Sequence, residues 1–183
     1  MNAKIIVVNL NVISYFRGEI MFEIGNYVVT ANNGICQIHG IETKDMGTGE
    51  KAYYILVPIK ESTAKVYLPV DLAEKRMRLV MNADDAWKLI KEIKAVDEAL
   101  VENEKEREKI YKEAINSRDP KRLISIMKTL YMRSQKRLEE GKKTTTIDER
   151  YFKLAENQLY SELAFVLRVQ KSELNRIIEQ NIE

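Results

Sequence analysis

The hydrophobic period changes once along this chain, close to residue 80, and no other feature limits the fold so strongly. Over residues 21–80, apolar, β-branched and aromatic residues come in short runs broken by turn residues. From Asn82 onward they recur at helical spacing. Side chains that alternate between two faces cannot also line one stripe of a helix, so the two regions demand different structures. The expected fold class is therefore α+β. A small, strongly bent β-sheet or barrel should occupy residues 21–80 and a compact all-α helical bundle residues 82–167, with residues 168–183 as a C-terminal helical tail.

Punctuation fixes the strands. Ile24-Gly25-Asn26 precedes the run Tyr27-Val28-Val29, and Asn32-Asn33-Gly34 is a strong turn because Asn and Gly tolerate positive φ. ICQIHGIE then alternates, which predicts Ile35, Gln37, His39 and Ile41 on one face and Cys36, Ile38 and Gly40 on the other. Gly47-Thr48-Gly49 marks another turn, and AYYILVP and AKVYLP close at Pro58 and Pro69. Residues 21–80 carry seven Lys/Arg against seven Asp/Glu. A sheet so balanced does not attract a polyanion by charge, and an edge strand that pairs with a protein partner suits it better.

In the helical half, Asn82 is an N-cap with Asp84 and Asp85 at the positive helix end. The lone tryptophan, Trp87, falls in register with Ile90 and Ile93, which predicts a core position. A second helix over 103–116 carries Ile110, Tyr111, Ala114 and Ile115 as its stripe. Asp119-Pro120 restarts the chain as cap and first helical residue. The third stripe then runs through Leu123, Ile124, Met127, Leu130, Tyr131, Ser134 and Leu138. Gly141 stops that helix, and Thr146 through Glu149 reads as a capping box for a fourth with Phe152, Ala155, Leu159, Leu163 and Val166 inward. Leu174, Ile177 and Ile178 make the tail amphipathic.

Formal net charge is +2, so any nucleic-acid affinity must come from local clustering. Residues 121–143 supply such a cluster, with eight basic residues against Glu139 and Glu140. The stretch reads either as a solvated helix surface or as a phosphate-contacting face. No catalytic constellation appears. No Gly-rich phosphate loop follows a strand, and the single cysteine, Cys36, excludes an intrachain disulfide and a CxxC-type zinc site. In an alternating strand Cys36 and the single histidine, His39, point to opposite faces, so they do not make a nucleophilic pair. We therefore expect no enzymatic activity, no catalytic residues, no metal site and no cofactor. No apolar run is long enough to span a membrane, and the cytoplasm is the expected location.

Residues 1–20 are apolar and β-branched but make a poor signal peptide, because Asn9 and Asn11 interrupt the apolar stretch. They read as a strand, or as untranslated leader: Arg17-Gly18-Glu19 is compatible with purine-rich codons resembling a bacterial ribosome-binding site just before Met21. On the second reading the native chain starts at Met21.

Two parts of the chain resemble one family. MFEIGNYVVTANNGICQIHGIE, YYILV and VYLPVDLAEKRMR resemble the amino-terminal module of the bacterial CarD/CdnL transcription regulators, a module shared with transcription-repair coupling factors. KIYKEAINSRDPKRLISIMKTLYMR and AENQLYSELA resemble that family's helical carboxy-terminal module. The resemblance implies a non-enzymatic regulator, monomeric when free, whose Tudor-like sheet adds an edge to the β subunit of RNA polymerase. It also implies a helical module that meets promoter DNA, without sequence specificity, at the upstream edge of the melted bubble and alters open-complex stability.

Two polymerase contacts of the family map onto Lys44 and Tyr67, and Val66 and Leu68 beside Tyr67 complete the expected docking set. Tyr67 stands where well-known members have arginine. The tryptophan that many members wedge at the bubble edge maps onto Glu104, and its companion arginine onto Arg107. A carboxylate repels phosphate and is no apolar wedge. The residues expected to face DNA are accordingly Lys105, Arg107 and Lys109, with Lys121 and Lys128 from the basic stretch. An alternative implication is a polymerase-docking protein whose helical module binds another protein and has little DNA activity.

Overall fold

Two turns fold the first strands onto each other. In the computed structural model, which describes residues 22–45, 47, 49–101 and 103–181, Gly34 lies at φ +64° and Thr30 Oγ1 accepts from Asn33 N at 3.1 Å. β1 (Tyr27–Thr30) thereby returns antiparallel as β2 (Gly34–Asp45), with Val28 opposite Cys36. At the far end of β2, Asp45 Oδ1 accepts from Gly47 N at 2.8 Å and Gly49 N at 3.1 Å, and β3 (Glu50–Pro58) begins. β4 (Val66–Pro69) pairs with β3. After a short helix α1 (Ala73–Arg76), β5 (Met77–Leu79) pairs with β1. The order β4-β3-β2-β1-β5 is that of an open antiparallel sheet, so of the two expected forms the sheet is found. The expectations for residues 1–20 fall outside the described residues.

The expected alternation of β2 breaks at His39. Pairing passes from Ile38 opposite Leu56 to Gly40 opposite Ile55, which leaves His39 without a partner. A bulge of one residue reverses the phase beyond it. Ile41, opposite Tyr54, therefore joins Cys36, Ile38, Tyr54 and Leu56 around the core of this unit instead of siding with Ile35. Burial pushes the Cys36 thiol up from its ordinary pKa, as expected for an inert strand cysteine.

The chain divides into two compact units between Leu79 and Val80. The second unit is built of capped helices, giving the α+β layout expected. In α2 (Ala83–Glu92), Asn82 Oδ1 accepts from Asp85 N at 2.8 Å. Trp87, however, is 39% exposed and lies outside the core. The buried face of α2 is Ala86, Leu89 and Ile90, one position around the helix from the stripe read in the sequence. The small Ala86 is fully buried on that face, whereas the bulky Trp87 beside it stays partly exposed.

α3 (Arg107–Ser117) starts four residues later than expected. Asn103 Oδ1 accepts from Lys105 N at 2.9 Å and holds residues 103–106 in a turn, a local bond that competes with the helix. α4 (Pro120–Glu139) begins at the Asp119 cap, bonded to Lys121 N at 2.9 Å. Its buried set is Leu123, Ile124, Ile126, Thr129 and Leu130; Tyr131 and Leu138, assigned inward above, are each 55% exposed.

α5 (Thr146–Leu167) is capped one residue earlier than expected, by Thr145 accepting from Asp148 N at 3.1 Å. The capping box of Thr146 and Glu149 is replaced: Glu149 bonds Thr144 instead, and Asp148 is buried in the first turn. Leu174 and Ile178 of α6 (Leu174–Asn181), within the segment read as a tail, belong to the same core as α2 to α5.

The segment between α2 and α3 makes a 3-10 turn (Ile93–Ala95), and its described residues after that form no helix or strand, so their polar backbone needs partners elsewhere. α4 supplies them. Lys128 Nζ donates to Lys94 O at 2.8 Å and Val96 O at 2.6 Å, and Thr129 Oγ1 accepts from Ala99 N at 2.8 Å. Replacing Thr129 with Val keeps its volume but strands the Ala99 N–H. We expect a loss of about 1–3 kcal/mol in urea denaturation of the intact chain.

Candidate docking edge and arginine–carboxylate cluster

The first unit offers one short edge strand with a cation fixed beside it. β4 pairs on one side with β3, and on its other side with no strand among the described residues. Val66 and Leu68, opposite Leu56 and Tyr54, pack against the core, so they offer a partner their backbone more than their side chains. Tyr67, opposite Ile55, turns to the other face. There Lys44 Nζ sits 3.8 Å from the Tyr67 ring centroid and 3.1 Å from Glu42 Oε2. Its contact with Tyr67, and second its pairing with Glu42, hold the ammonium above the usual lysine pKa. The two expected polymerase contacts are thus in direct contact with each other.

The five basic residues expected at DNA are not equally available. Lys105 and Lys109 are exposed. Lys121 Nζ pairs with Glu92 at 2.9 Å on an open surface. Lys128, expected to face DNA, instead has its ammonium engaged by the two carbonyls of the α2–α3 segment, which makes it a structural tie. Arg107 donates from Nη1 to Glu104 Oε2 at 2.8 Å.

Arg133 was counted in the basic stretch but not singled out, and it is the centre of the site. Its Nη1 and Nη2 grip the two oxygens of Glu104, the second contact at 3.0 Å. Its Nε lies 3.7 Å from Oδ2 of Asp148, whose side chain is only 4% exposed. Tyr111 stands next to Asp148; burial first, and then the charge of Asp148, push the phenol up to about 12. Nothing in the sequence places Arg133 against Glu104, because the two are brought together by the irregular segment folding onto α4. The signal that was legible is the i,i+3 pairing of Glu104 with Arg107.

An open sheet edge beside a fixed cation suits a protein-interaction module, and the described residues of the helical unit add a cluster of ion pairs. Residues 22–81 match the family described as CarD-like/TRCF RID domain, which supports a CarD-like, RNA polymerase-interacting family for this part of the chain. Among curated proteins no match is found. Among the described residues no helix is long and apolar enough to cross a membrane, and no group of His, Cys, Asp and Glu is arranged to hold a metal ion.

The cluster makes a pH signature. Hydrogen bonds from Arg133, and then from Arg107, hold the Glu104 carboxyl at about 2, below its ordinary 4.5. The folded state therefore binds fewer protons than the unfolded one between these values. The stabilisation is complete above about pH 4.5 and is lost as pH falls toward 2. Its size is modest, because the Glu104 side chain is 61% exposed and solvent screens it. In paired denaturation series, the advantage of the wild-type chain over Glu104→Gln should shrink across that window and stay constant above it.

Proposed function

We propose that this protein is a CarD-like transcription regulator whose bent, Tudor-like sheet docks on the β subunit of RNA polymerase. Its helical unit then contacts promoter DNA at the upstream edge of the melted bubble and alters open-complex stability. A cytoplasmic location follows from that role. The observation that carries the reading is the open edge of β4, with Tyr67 and Lys44 stacked beside it, within a domain of an RNA polymerase-interacting family. Such an edge gains affinity from main-chain hydrogen bonds and specificity from the side chains next to them.

A second reading is favoured by one observation. Several of the cations expected at DNA are engaged within the chain: Arg107 by Glu104, Lys121 by Glu92 and Lys128 by two carbonyls. On that reading the helical unit binds another protein and touches DNA little.

Tyr67→Asp should weaken capture of the polymerase β subunit by about tenfold or more, the scale of losing an interface anchor, while the helical circular-dichroism signal stays intact. Unchanged capture would place docking elsewhere. The two readings separate on a promoter footprint with polymerase bound. Protection upstream of the bubble that weakens when Lys105 and Lys109 are both changed to Gln supports DNA contact. No protection in either protein, with polymerase still captured, supports the second reading.

A further inference from the structure

The surface of the helical unit carries two arginines that converge on one point from different elements. Arg107 opens α3, and Arg133 lies in the last two turns of α4. Between them they hold both oxygens of Glu104. The guanidiniums are recessed, with side chains 20% and 23% exposed, whereas the Glu104 side chain is 61% exposed. The carboxylate therefore lies over the arginines from the solvent side.

A guanidinium fork fits carboxylate and phosphate oxygens by the same two-point geometry. We propose that Arg107 and Arg133 form a binding site for a backbone phosphate of DNA, which Glu104 occupies and masks in the free protein. The inference rests on DNA contact by the helical unit and adds that this contact works by exchange of one anion for another.

The charges support exchange. With Glu104 in place, the two arginines are offset by Glu104 and the buried Asp148, and the site has no net charge. Once Glu104 swings away, one positive charge is uncovered. Arg133 stays oriented beside Asp148. The α2–α3 segment stays attached, because Lys128 and Thr129 hold it independently of Glu104. Release of the carboxylate thus requires a rotation of one exposed side chain and no unfolding.

The test uses the full chain and Glu104→Gln, which keeps the length and an acceptor oxygen but removes the charge. Its control is Glu179→Gln, an exposed α6 residue that changes net charge equally. Two probes are read: duplex DNA by fluorescence anisotropy across a salt series, and inorganic phosphate by its effect on thermal unfolding.

The expected result is about three- to tenfold tighter DNA binding by Glu104→Gln, with a salt slope steeper by about 1, the value of one added phosphate contact. Glu179→Gln should shift neither, and adding Arg133→Gln to the Glu104→Gln chain should cancel the gain. Phosphate should stabilise Glu104→Gln and leave wild type unmoved. If no protein binds DNA but phosphate still stabilises Glu104→Gln alone, the masked site stands and the promoter reading falls. If wild type binds DNA and Glu104→Gln binds equally or less well, the mask is overturned and the promoter reading stands. Should Glu104→Gln prove unfolded, Glu104→Asp decides. The shorter acid reaches the arginines poorly, so intermediate gains support the mask and none overturn it.

Discussion

Backbone polar groups that no helix or strand satisfies must find side-chain partners, and in the helical unit that requirement falls on one face of α4. Lys128, Thr129 and Arg133 meet, in order, the start, middle and end of the segment that joins α2 to α3. Without them, residues 94–104 would expose carbonyls and an amide to whatever packed nearby. With them the segment lies along α4, Thr129 is buried, and Ala99 and Val101 reach the bundle core. The Lys128 and Thr129 contacts place the end of the segment where Glu104 meets Arg133. A basic face that looks made for solvent or DNA is therefore partly occupied with holding the protein's own chain.

The sheet unit solves a different problem. An unpaired edge is an open template for association, and short strands are one means of limiting it. β4 has four residues and ends in Pro69, so it offers few main-chain groups and stops abruptly. If it docks a partner as proposed, selectivity has to come from neighbouring side chains. The Lys44–Tyr67 stack provides one cation held at a fixed place instead of a flexible lysine sweeping solvent, and Glu42 limits its charge. A partner strand that matches this edge meets a preorganised contact, which lowers the entropy lost on binding.

Local chemistry was legible in the sequence, and longer-range packing was not. The caps at Asn82 and Asp119, the turn at Gly34 and the stop at Gly141 depend on neighbouring residues, and each lies where its side chain or φ angle predicts. Trp87 failed because hydrophobic size was read as burial, when the small Ala86 marks the contact face. Ile41 failed because a single unpaired residue, His39, inverts the phase of a strand and leaves no mark on composition. Ile126 and Thr129 were missed because a stripe one neighbour wide was expected, and α4 is also covered by a segment with no helical period of its own. Of the candidate site, the contact of Lys44 with Tyr67 needed the strand order, and Arg133 needed the fold of residues 94–106.

Glu104 is where these threads meet. Trp87, the single tryptophan, is on α2 and takes no part in the cluster of Glu104, Arg107, Arg133, Asp148 and Tyr111. An apolar wedge offsets the cost of unstacking a base step by filling the gap and bending the duplex onto the protein, which requires an uncharged surface at the point of entry. A carboxylate held near pKa 2 is ionised at every physiological pH and does neither. What it does is neutralise two cations, at an exposed surface where salt screens the pairing. A helical unit so equipped would engage DNA through its backbone charge and release it easily. In such a protein, attachment to the polymerase through the sheet edge has to supply the residence time that a wedge would otherwise give.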